Sequence, residues 1–129
     1  MERTKSHEPQ YASNLIEASR DPLFVINANG KITDMNQAAA NMTGILKEAL
    51  LGTDFSMYFT ETQKACELYQ NGFAKGFVID FPLTLRDIHE KLTDVIFNGS
   101  VFKDENGKVL GVVMVARELS IANKELAFQ

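Results

Sequence analysis

The sequence predicts an α+β domain, a five-stranded antiparallel sheet with helices on one face, and three observations carry that reading. Five short runs rich in Val, Ile, Phe and Leu have strand character. Two pairs of them are joined by Asn-Gly turns, Asn29-Gly30 and Asn106-Gly107, whose positive φ angles suit a tight hairpin. The longest run of helical periodicity lies between the second strand and the third. A chain of 129 residues, 45% of them hydrophobic, holds one compact core and is too short for two.

Residues 1–7 read as a disordered tail and residues 8–20 as an amphipathic helix, with Pro9 in its first turn, Tyr11, Leu15 and Ile16 on one face, and Asp21-Pro22 as its stop. The domain proper is expected over 21–118. Leu23–Asn27 and Lys31–Met35 make the first hairpin through Gly30. Asn36 then caps a short helix by accepting from its first amides, so Asp should serve there nearly as well as Asn, and Ala should not. Gly44 and Gly52 suit the left-handed ends of two short helices. Thr60-Glu61-Thr62-Gln63 has the form of a capping box, after which Ala65, Leu68, Tyr69, Gly72 and Phe73 recur at helical spacing up to Gly76.

From Phe77 the period becomes two. Phe77, Ile79, Phe81, Leu83 and Leu85 are expected inward, and Pro82 marks this strand as an edge or a bulge. Val95, Phe97, Gly99 and Val101 repeat the alternation. The last strand is apolar on both sides, with Val109, Gly111, Val113 and Val115 opposing Leu110, Val112, Met114 and Ala116, so both of its faces need cover. Gly107 closes the hairpin before it. Residues 119–129 begin an exit helix, with Leu119, Ala122 and Leu126 at three- and four-residue steps in the manner of a coiled coil.

Two blocks resemble a known family. The hairpin FNGSVFKDENGKVLGVVMVARELS, ending in Arg117-Glu118-Leu119-Ser120 before a helical tail, is similar to the last strands and exit of PAS sensor domains. The stretch VINANGKITDMNQAAANMTGILKEALLGTDFSMYF is similar to their opening, matched at Gly30, Ile32, Asn36, Ala39, Gly44, Leu50 and Gly52. Asn27, Ile45 and Glu118 depart from the family's usual Asp, aromatic and Asp without removing a structural role. The resemblance implies the PAS fold, with the N-terminal helix behind the sheet. It also implies a homodimer whose surface includes Tyr11, Leu15, Ile16, Val112, Met114, Leu119, Ala122 and Leu126.

Candidate chemistry is sparse. Flavin-binding relatives place a cysteine on the short helix before the central one, where this chain has Thr53–Phe59, and haem-binding relatives place a histidine on the central helix, where Thr60–Phe73 has none. Neither cofactor is therefore expected. The single cysteine, Cys66, forms no internal disulfide and reads as a small buried hydrophobe. His89-Glu90-Lys91 reads as a surface turn rather than a phosphoacceptor box, and Asp104-Glu105-Asn106 lacks the alternating oxygen ligands of a calcium loop. No catalytic residue and no metal site is expected. What the resemblance leaves is the space between central helix and sheet, with Met42, Tyr69, Phe73, Phe81, Leu83, Phe97, Val113 and Val115 as its lining and Gly99 and Gly111 leaving room. That space is either a filled core or the site of a small apolar or weakly polar ligand.

Thirteen Lys and Arg against 17 Asp and Glu give a net charge of −4, so a nucleic acid would meet repulsion. The longest apolar stretch, Leu110–Ala116, is far short of the roughly 20 residues that span a bilayer, and no signal-peptide core opens the chain. The expected role is a non-catalytic input module of a cytoplasmic signalling protein, a sensor histidine kinase or diguanylate cyclase with its output domain beyond Gln129. The alternative is a ligand-free dimerisation module.

Overall fold

A computed structural model describes residues 20–119. Among them, five strands form one antiparallel sheet: β1 (Leu23–Ile26), β2 (Ile32–Met35), β3 (Phe77–Arg86), β4 (Leu92–Lys103) and β5 (Val109–Glu118), in the order β2-β1-β5-β4-β3. Between β2 and β3 lie α1 (Gln37–Thr43), α2 (Lys47–Leu50), a 3-10 turn (Phe55–Tyr58) and α3 (Thr62–Lys75). This long excursion carries the chain from one edge of the sheet to the other, and so leaves the first and last strands to pair at its centre. Val25 stands opposite Val113, and Ile26 opposite Val112. The expected tail (1–7), N-terminal helix (8–20, apart from Arg20) and exit helix beyond Leu119 lie outside the described residues, and with them Tyr11, Leu15, Ile16, Ala122 and Leu126.

One turn geometry recurs three times. At Asn27–Lys31, Asp87–Lys91 and Asp104–Lys108 the first residue's amide donates to the fifth residue's carbonyl and the fourth residue's amide returns to the first carbonyl, at 2.9–3.0 Å. In each, the first residue's Oδ1 accepts from the amides of the third and fifth residues at 2.8–3.0 Å. An Asx side chain thereby replaces a missing ladder partner. The fourth position has positive φ, 81° at Gly30, 85° at Gly107 and 67° at Glu90.

The core lies between the helices and one face of the sheet. Phe24, Phe55, Phe59 and Phe97 are at most 2% exposed and meet at ring-centroid separations of 4.8–6.3 Å, mostly tilted or edge-on. Ile26, Ile32, Leu50, Leu68, Val112 and Met114 surround them, fully buried.

Three expectations about side-chain direction are corrected. The inward face of β5 is Val112, Met114 and Ala116, all fully buried, whereas Val113 and Val115 lie on the opposite face with Leu23, Val25 and Phe102. Val112 and Met114 are therefore core residues and not part of a dimer surface, and Val113 and Val115 line no space under α3. The reason is register: Phe97 faces Ala116 and Val101 faces Val112 across the ladder, which puts those β5 residues on the core side. In β3 a bulge between Val78 and Phe81, with Asp80 at φ 48°, shifts the alternation, so that Val78 is buried while Phe77 and Ile79 are exposed. Pro82 follows this bulge on the outermost strand, where its missing N–H is tolerated.

The capping box is not formed. Glu61 is the N-cap of α3 and makes no side-chain cap bond. Its carboxylate instead accepts from the backbone amide and the hydroxyl of Thr84 on β3, both at 2.8 Å. Gly30, Gly44, Gly52 and Gly107 do take the left-handed conformation expected of them.

Candidate functional site

The space between α3 and the sheet collects six of the eight residues expected to line it. Leu83 and Phe97 are in the buried core, and Met42, Tyr69, Phe73 and Phe81 pack against it, half-buried. The room expected beside the glycines is taken. A Cβ on Gly99 would lie 2.8 Å from the sulfur of Met114, and one on Gly111 would lie 3.0 Å from the Phe102 ring. Phe24, Phe55 and Phe59, which form the centre of the cluster with Phe97, were not among the expected lining. The Phe55/Phe59 spacing of four was the available signal, and it pointed to one helical face.

Tyr69 ties the central helix to the first hairpin. Its ring lies over Gly30, where a Cβ would run into the Tyr69 hydroxyl, and the φ of 81° there disfavours any larger residue. The hydroxyl bonds Cys66, one turn earlier on α3. That bond first, then burial and the nearby Cys66 and Asp54 charges, push the phenol up to about 12. Tyr69 is therefore neutral throughout the physiological range. Cys66 is half-buried.

At the start of α3, Glu61 anchors a line of polar contacts that crosses two strands. Burial raises its pKa, but the Thr84 bonds outweigh this and hold the carboxyl below its ordinary 4.5. The Thr84 hydroxyl also stands 3.4 Å from Asp94 Oδ1 on β4, and the Asp94 carbonyl accepts the Leu119 amide at 2.9 Å. The start of the central helix is thus linked, residue by residue, to the point where the chain leaves the sheet.

A separate hollow of about 480 Å³ opens at that same end of the sheet. It is bounded by the segment leading into β1, one side of α1, the β3–β4 turn and the last residue of β5. Met42 contributes to its floor. Among the described residues no group of three or more His, Cys, Asp or Glu is arranged to hold a metal ion. No helix there is long and apolar enough to cross a membrane.

The sequence and the fold both match known proteins. The family model described as the PAS fold matches residues 10–119. The signal transduction histidine-protein kinase AtoS of Escherichia coli (strain K12) is 29% identical over 115 residues, covering 86% of this chain and 18% of the kinase, so the chain spans less than a fifth of that relative. A PAS domain from Colwellia psychrerythraea superposes with a TM-score of 0.72 at 15% identity, over 85% of this chain and 95% of that one. A PAS domain of a two-component sensor histidine kinase superposes with a TM-score of 0.72 at 18% identity, over 88% and 98%. At such identities the structural likeness is one of fold.

Proposed function

The chain belongs to the PAS family, and on that premise we propose that it is the sensory input module of a cytoplasmic signalling protein, relaying the state of a ligand or partner to an output domain beyond Gln129. Its likeness to a histidine-protein kinase supports a signalling role and favours a kinase output over a diguanylate cyclase. The observation that carries the relay is the position of β5, which pairs with both β1 and β4 at the centre of the sheet and whose next residue, Leu119, is fixed by the Asp94 carbonyl. A shift of either neighbouring strand is felt by the one that leads out. Such a relay requires an input that binds two arrangements of the domain unequally. The module is read as a homodimer without flavin or haem, since the 3-10 turn has no cysteine and α3 no histidine for those groups to use. On this reading the purified protein shows no band in the visible spectrum.

The test is helix phase. With this chain fused to the kinase region of a histidine kinase, one residue inserted after Ser120 rotates everything downstream by about 100° and is expected to lock or abolish output. Insertion of about seven residues restores the phase and is expected to restore regulation. Equal responses to the two insertions would make the exit a passive tether. The second reading, a ligand-free dimerisation module, is favoured by the four-phenylalanine core. A small molecule that co-purifies with the protein would count against it.

A further inference from the structure

The hollow beside the exit has walls that are already in place. The Asp21 carbonyl accepts from the Asn36 amide group at 2.9 Å, holding the segment before β1 against the start of α1. The other end of α1 is tied to the β3–β4 turn by the Ile88 amide, which donates to the Thr43 carbonyl at 3.0 Å. Asp87 Oδ1 fixes the turn itself through the His89 and Lys91 amides. A preformed concavity of this kind needs little reorganisation to accept a ligand.

Its charges are of both signs and are not spent on one another. Arg20 and Lys91 border it as cations and Asp21, Asp87 and Glu118 as anions; Asp87 is engaged by the turn amides, and Arg20, Lys91 and Glu118 make no ion pair among the described residues. Pro22 and Met42 supply apolar surface, and Thr93 a hydroxyl. A simple anion would meet the carboxylates of Asp21, Asp87 and Glu118, and a simple cation would meet Arg20 and Lys91. A molecule with both charges meets both signs of the rim favourably.

We propose that this hollow is an input site of the domain, and that it takes a small zwitterion of amino-acid size. The ligand's carboxylate would face Arg20 and Lys91 and its ammonium would face Glu118. Glu118 is the last residue of β5, and Leu119 beside it is held by Asp94, so an occupant would bear directly on the outgoing strand. The proposal rests on the sensory reading of the domain and names its input.

The 129-residue chain is titrated calorimetrically and by thermal shift with each common L-amino acid, with acetate and ethylamine as single-charge controls. At least one amino acid is expected to bind and raise the melting temperature, and neither control should do so. Glu118→Gln and Lys91→Gln should each weaken that binding by about ten-fold or more, while leaving the unliganded melting temperature unchanged because both side chains are exposed. Absence of binding by every amino acid, equal binding of a control, or undiminished binding by both variants would overturn the site. None of those results alters the phase dependence of the fused kinase, so failure of the site and failure of the relay are told apart.

Discussion

Asn36 is 1% exposed and gives its side chain to three backbone groups. Its Oδ1 accepts from the Leu23 and Ala39 amides, each at 3.0 Å, and its Nδ2 donates to the Asp21 carbonyl. The cap expected at this position is real, but it is half of the role. Asn36→Ala should cost about 2–3 kcal/mol, since a cap is lost and the buried Leu23 amide loses its acceptor. Asn36→Asp keeps both acceptor bonds but sets a carboxylate against a carbonyl, so it should cost about 1–2 kcal/mol rather than almost nothing. Urea denaturation of the two variants decides this, and an Asp variant as stable as the parent would remove the donor role. Glu90 presents the opposite case. It takes φ 67° at the turn position where the two sister hairpins have glycine, and its pair with Arg86 is long, 3.8 Å, and exposed. Glu90→Gly should therefore stabilise the domain by about 0.5–1 kcal/mol, the relief of left-handed strain less the added freedom of the unfolded chain. A lower midpoint in denaturant would contradict that assignment.

At the scale of elements, the Glu61–Thr84 contact joins α3 to β3 and makes stability depend on pH. A carboxyl whose pKa is depressed on folding contributes stability that is present above its unfolded pKa and is lost as pH falls through the folded value. Thr84→Val removes the hydroxyl bond but not the backbone one. Glu61 should then titrate at higher pH by carboxyl NMR, and acid unfolding should begin at higher pH than in the parent. Unchanged titration would leave the bond without electrostatic consequence. This contact also shows what the sequence hides. Thr60-Glu61-Thr62-Gln63 has the letters of a capping box, yet the partner that Glu61 takes lies 23 residues away. The strands were legible from their period and the hairpins from Asn-Gly. The side-chain parity of β3 was not, because the bulge at Ile79-Asp80 inserts a residue that no local pattern announces. The two faces of β5 were equally apolar as text, and pairing with β4 alone decides between them. The hollow beside the exit is assembled from four separate segments and leaves no motif at all.

For the whole molecule, the corrected faces of β5 sharpen the expected mode of association. Val113 and Val115, with Leu23, Val25 and Phe102, give the side of the sheet away from α3 an apolar centre. Val112→Asp should unfold the domain, since it places a charge in the phenylalanine core. On the proposed homodimeric reading, Val113→Asp should leave a folded protein that sediments as a weaker dimer. A Val113→Asp variant with undiminished self-association would remove this face from the interface.

The excursion between β2 and β3 has one more effect. Its residues bond to both outer strands: Ile32 to Thr53 and Gly52, Gly30 to Phe55, and Thr84 to Thr60. On the rest of β3, the bulge and Pro82 interrupt the row of free backbone groups. A sheet so bordered offers little template for another chain to extend it, which is the first step of fibril growth. Copies of this domain at high local concentration are therefore poorly able to add strand to strand without limit.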